Sequence, residues 1–250
     1  MDRYLSCAMD IGEQMLKSGA EVHRVEDSIK RMCNSFGFTR IDVFIIPSSM
    51  VATVYNENGE TYTQTRRIVS SATDFEKLHK LNALSRKLCS KKHTIEEIES
   101  EIKQALNCKK YPFYIECICY SLIAGMFTLF FGGSVIEMFV SLFAGLIVRF
   151  VITLCKKTVP NYIFSKFCSS VTASAIAFSA MKIGIVSNVD TIIIGNIMTL
   201  IPGIGLTNAL RDLFTGDSIA GLLRCIEAIL IALAIALGYF LVALLGGVSS

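Results

Sequence analysis

The sequence contains no phosphate-binding loop. Neither GxxxxGK[ST] nor a glycine-rich strand-to-helix turn occurs, so pumping driven by ATP in this chain alone is not expected. Metal chemistry is equally unsupported. The nine cysteines, at 7, 33, 89, 108, 117, 119, 155, 168 and 225, form no CxxC pair and no Cys/His cluster. They read as reduced, small apolar side chains. The three histidines, His23, His79 and His93, have no ligand partners at suitable spacing. No metal and no cofactor is therefore expected. A net charge of +3, with no basic stripe interleaved with aromatics, argues against nucleic acid as a partner. The first 40 residues hold no uninterrupted apolar run, so no signal peptide is expected and the N-terminal part is expected in the cytoplasm.

What is present divides the chain in two. Hydrophobic residues make up 52% of it and the mean hydropathy is +0.54. Of 45 charged side chains, 32 fall in residues 1–110 and 13 in residues 111–250. The first part has the composition of a soluble domain and the second that of lipid-embedded protein. Within 1–110, Leu5, Met9, Ile11, Met15 and Leu16 recur with helical period, and Ser18-Gly19 ends that helix. A second helix spans about 20–36, with Gly37 at its C-cap. Three strands follow, over 41–46, 50–55 and 60–69, with Asn56-Glu57-Asn58-Gly59 as a hairpin turn. Helices over 74–90 and 94–106 complete the domain; Thr94 and Glu97 make a capping-box signature. The order predicts a cytoplasmic α+β domain over 1–110, with helices on a small antiparallel sheet.

Residues 111–250 read as an α-helical bundle of about five transmembrane helices, at about 113–131, 134–154, 163–182, 189–208 and 219–245. Lys109-Lys110, Lys156-Lys157 and Arg211 occupy alternate loops. This places the N-terminus in the cytoplasm and the C-terminus outside a cytoplasmic (inner) membrane. Small residues recur in the third and fifth stretches, among them Ser169, Ser170, Ala173, Ser174 and Ala177, then Ala232, Ala236 and Gly238, and allow close helix packing.

Functional candidates concentrate between Gly195 and Asp212. Pro202 lacks an N–H and is flanked by glycines, so the fourth helix is expected to break within the membrane. Interrupted helices line solute sites in transporters; a packing kink is the plainer alternative. Asn196, Pro202, Gly203, Gly205, Asn208, Arg211 and Asp212 are the candidate substrate-binding residues, with Arg211 suited to a carboxylate. An ordinary loop ion pair is the other reading of Arg211 and Asp212. Glu227, Arg224 and Glu137 are candidates for coupling or for the solute path. Their plainer readings are mutual pairing of Arg224 with Glu227, and snorkelling of Glu137 and Arg149. Glu21, Arg24 and Glu26 form a candidate functional face in the soluble domain. A solvated helix or a domain contact explains that face without chemistry, since His23 has no nucleophile at a usable spacing. No enzyme is expected.

Three blocks of residues carry a family resemblance. Ser18-Gly19-Ala20-Glu21-Val22-His23-Arg24-Val25-Glu26, with Ile29 and Phe36-Gly37, resembles the opening motif of the bacterial threonine/serine exporter family. Arg66-Arg67-Ile68 and Asp74-Phe75-Glu76-Lys77-Leu78 look like its next block. Gly195 to Asn208, then Arg211-Asp212, Gly216-Asp217, Gly221-Leu222, Arg224, Glu227 and Ala228, resemble its most distinctive stretch. The resemblance implies a secondary exporter of a small amino or carboxylic acid, threonine and serine or a dicarboxylate such as succinate. It further implies the larger half of a split transporter, ending at Ser250 and working with a smaller membrane-protein partner of the same family; self-association is left open. The competing readings are a membrane-anchored, hydrolase-like enzyme and a solute-sensing regulatory subunit.

Overall fold

A computed structural model describes residues 1–91, 93–109, 111–159 and 161–246. Lys110, expected to precede the first span, and Ser250 lie outside them. The chain divides into two compact units, Met1–Lys109 with Ile204–Cys225 and Lys110–Gly203 with Ile226–Ser250.

The first unit opens with α1 (Asp2–Lys17) and α2 (Val22–Ser35). Strands β1 (Arg40–Ile46), β2 (Ser49–Tyr55) and β3 (Thr61–Arg67) form an antiparallel meander in that order. Its register pairs Val43 with Ala52 and Ala52 with Gln64. The central strand alternates, and Met50, Ala52 and Val54 point into the core. Helices α3 (Phe75–Leu88) and α4 (Ile95–Leu106) follow. The Asp74 side chain caps α3 by accepting the Lys77 N–H at 3.0 Å, and Thr94 with Glu97 forms the capping box of α4. Leu5, Met9 and Ile11 of α1 share one core with Ile29, Met32, Leu81, Leu88 and Ile98. At Gly12 a Cβ would lie 2.6 Å from Ile29 Cδ1 and 3.1 Å from Met50 Cε, so a bare backbone seats α1 on α2 and the sheet.

The second unit is built on α5 (Phe113–Phe130), α6 (Val135–Thr158), α7 (Tyr162–Lys182), α8 (Asp190–Met198) and most of α10 (Ser218–Leu245). Among the described residues four helices are long and apolar enough to cross a membrane: α5, α6, α7 and α10. The stretch at 189–208, expected to break at Pro202, is two helices, α8 and α9 (Gly203–Phe214), separated at 199–202; counted together they make a fifth span. Helix α8 closes with tight backbone bonds, Thr199 N–H to Asn196 O at 3.1 Å and Leu200 N–H to Ile197 O at 2.8 Å. Pro202 then supplies no donor. A helix of 9 residues is about 14 Å long, too short to cross a core of about 30 Å.

Close backbone approach sets the packing. At Gly145 on α6 a Cβ would lie 2.9 Å from Tyr120 O and 3.1 Å from Ser121 Cα of α5. Gly195 on α8 meets α5 at Thr128 and at Ala124 O. Outward, Ile118, Leu122 and Met126 of α5 and Phe139, Phe143 and Phe150 of α6 form exposed apolar rows suited to hydrocarbon. Snorkelling does not describe Glu137 and Arg149 of α6. Glu137 is buried, capping its own helix with Ser134 and accepting from Thr191 Oγ1 at 3.1 Å. Arg149 pairs with Glu116 and stacks over the rings of Phe113 and Tyr120.

Candidate functional site

The site begins in the turn between α1 and α2. Gly19 has φ +90°, a left-handed conformation that closes α1, and the Ala20 N–H returns to Met15 O at 3.1 Å. Residues 72–74 run along the turn: Ala72 N–H bonds Lys17 O at 2.9 Å and Asp74 N–H bonds Ser18 O at 3.1 Å. Glu21 is the N-cap of α2, but its side chain makes no cap bond. The first amides of α2 therefore need acceptors from elsewhere.

Helix α9 supplies one such acceptor, and α9 and α10 supply donors for the carbonyls of the turn. Asn208, Arg211 and Asp212 stand at i, i+3 and i+4 on one face of α9, and Arg224 follows on α10. Each residue of the Gly19–Val22 turn is held. Asn208 Nδ2 donates to Gly19 O at 3.1 Å and Arg224 Nη2 to Ala20 O at 3.0 Å. Arg211 pairs with the Glu21 carboxylate. Asp212 Oδ1 accepts the Val22 N–H at 3.3 Å, and its Oδ2 lies 3.1 Å from Arg224 Nη1. Asp212 is 1% exposed. Its charge is balanced by the Arg224 guanidinium and by the positive end of α2. The α9–α10 hairpin behind it is tight: at Gly221 a Cβ would lie 2.8 Å from Ala209 O.

A second carboxylate borders the clasp. Glu26 Oε1 accepts the Ile45 N–H at 3.2 Å, and its Oε2 lies 3.5 Å from Lys30 Nζ. Burial pushes this carboxyl above the usual range; Lys30 and the Ile45 N–H oppose the shift, and Asp217 reinforces it. Arg24 and His23 are exposed. Among the described residues no group of three or more His, Cys, Asp or Glu can hold a metal ion. What the arrangement can do is mechanical: it fixes the N-terminal end of α2 to the helix that follows the break.

The threonine/serine exporter family model matches residues 6–246. The chain belongs to this family. Two of the three residue blocks that carry the family likeness, around 18–26 and 195–228, contribute the residues that meet in the clasp. A Corynebacterium glutamicum threonine/serine exporter is 21% identical over 235 residues, which is 90% of this chain and 48% of that protein. The chain thus spans about half the length of that relative. A Klebsiella aerogenes protein named as a succinate transporter subunit, YjjP, is 24% identical over 237 residues, 94% of this chain and 89% of that one. No solved structure matches.

Of the candidate residues read from the exporter-family sequence, Glu21, Asn208, Arg211, Asp212 and Arg224 come together in the clasp. Arg224 turns to Asp212 and Ala20 O rather than to Glu227, the partner its spacing offered. Pro202, Gly203 and Gly205 mark the break and the start of α9. Asn196 stands elsewhere, fully buried, with Nδ2 donating to Ser141 Oγ at 2.9 Å and Ile192 O at 3.0 Å. Its Oδ1 is buried without a partner among the described residues. Glu227 is exposed on α10. Sequence reasoning passed over Lys166, which is buried on α7. The signal was available: Lys166 is in helical register with Ser170 and Ser174 of the small-residue stripe.

Proposed function

We propose that this chain is the larger, domain-bearing subunit of a secondary exporter for a small amino or carboxylic acid. The substrate class is threonine and serine or a dicarboxylate such as succinate. The observation that carries this reading is the family match over residues 6–246, supported by the transport names of both relatives. The chain sits in the cytoplasmic membrane with its N-terminus inside and its C-terminus outside. Lys109, Lys156, Lys157 and Arg211 support that orientation through the preference of basic loops for the inner side. The clasp adds a second argument, because Arg211 belongs to the same compact unit as residues 1–109. A partner follows from the word "subunit" in one relative's name.

In this reading the break at 199–202 and the amide of Asn196 contribute to the solute path, where unpaired polar groups can face a substrate. Asn208, Arg211 and Asp212 hold the soluble domain to α9 instead of contacting substrate. The domain then acts on the path mechanically, and the break allows α9 to follow it. Cells carrying the chain together with a short membrane protein encoded beside it test this. Efflux of labelled threonine, serine and succinate is measured in parallel. Faster efflux of at least one acid than from cells lacking both proteins is expected; no change for any of the three counts against the reading.

A further inference from the structure

Lys166 is 7% exposed in the second turn of α7, and its ammonium lies 5.0 Å from the centroid of the Tyr162 ring. No carboxylate among the described residues pairs with it. Glu116 is taken by Arg149, and Glu227 on α10 is exposed and forms no ion pair with Lys166 among the described residues. The residue as a whole is buried, and its ammonium sits over an aromatic ring rather than against a carboxylate. Burying an unpaired cation is costly, and a lysine inside a membrane bundle marks a functional position by default.

The helix continues the pattern. Ser170 and Ser174, at i+4 and i+8, are fully buried on the same face. Ser170 Oγ donates to Ile235 O at 2.6 Å, while Ser174 Oγ is buried without a partner among the described residues. Lys166 and Ser174 are about 12 Å apart along the helix axis, too far for one small acid to touch both. They mark successive stations on one polar stripe.

We infer that Lys166 is the cation that binds a carboxylate of the transported acid inside the helix bundle. The inference rests on the exporter reading above. A compact ammonium receives a carboxylate as a point charge, and the Tyr162 face holds it when no anion is present. The required ligand class is a small carboxylate anion.

The test uses full-length chain and its membrane partner in cells, with efflux of labelled succinate and threonine. Lys166→Met removes an unpaired buried charge and is expected to reach the membrane at the normal level while export falls at least tenfold. Lys166→Arg, which keeps the charge, is expected to restore part of the rate. Wild-type rate and KM in Lys166→Met would overturn the inference and leave the exporter reading intact. Failure of Lys166→Met to accumulate in the membrane would also overturn it, by making the lysine a folding residue. No export by the unaltered protein removes the exporter reading and this inference with it.

Discussion

Arg211 and Asp212 are sequence neighbours with different physical roles. The Arg211 side chain is 56% exposed, so its pair with Glu21 is screened by solvent. Such a pair contributes about 0–1 kcal/mol. Asp212 is buried between Arg224 and the start of α2. Replacing it by Asn keeps the Val22 acceptor but leaves Arg224 without its counter-charge, a change worth about 3 kcal/mol or more. Thermal unfolding of the full-length protein in detergent checks the contrast. Asp212→Asn is expected to lower Tm clearly, and Arg211→Ala to leave it nearly unchanged. Equal effects would mean that the clasp is not organised around Asp212.

Among the elements, α5 is the one that both α6 and α8 approach through a glycine. Gly145→Val places a Cβ within 2.9 Å of Tyr120 O and 3.1 Å of Ser121 Cα, both backbone atoms that cannot yield. Overpacking of this kind costs about 1–3 kcal/mol. A lower yield of folded, monodisperse protein is expected from size-exclusion chromatography, and wild-type behaviour would show the α5–α6 seam to be looser than described. Most of these elements were legible beforehand. Helical period fixes α1 through Leu5 to Leu16, and Thr94 with Glu97 marks the start of α4. The break around Pro202 was legible because a residue without an N–H interrupts any helix. The continuation of α9 through Asn208, Arg211 and Asp212 was not. Asn208 reads as the end of the fourth span, and Arg211 with Asp212 reads as a loop pair as readily as a helix end, when their partners, the turn from Gly19 to Val22, lie some 190 positions away in sequence.

For the whole molecule, the division of composition gave the membrane class, and the residues near 20 and near 210 gave the family. Neither gave the clasp, since two charged segments show no sign of each other in a linear chain. Lys166 was overlooked for a similar reason. A lone cation in the first turns of an apolar helix looks like an interfacial anchor until its burial is known. Within the first compact unit, the Gly19–Val22 turn is joined to α9 and the start of α10 through a few polar contacts. The account therefore predicts a protein that moves solute as a full-length assembly. Counterflow into proteoliposomes loaded with unlabelled acid measures this directly. Vesicles holding the chain with its membrane partner should accumulate labelled succinate, threonine or serine above protein-free vesicles. Correctly inserted protein that accumulates none of the three would contradict the account.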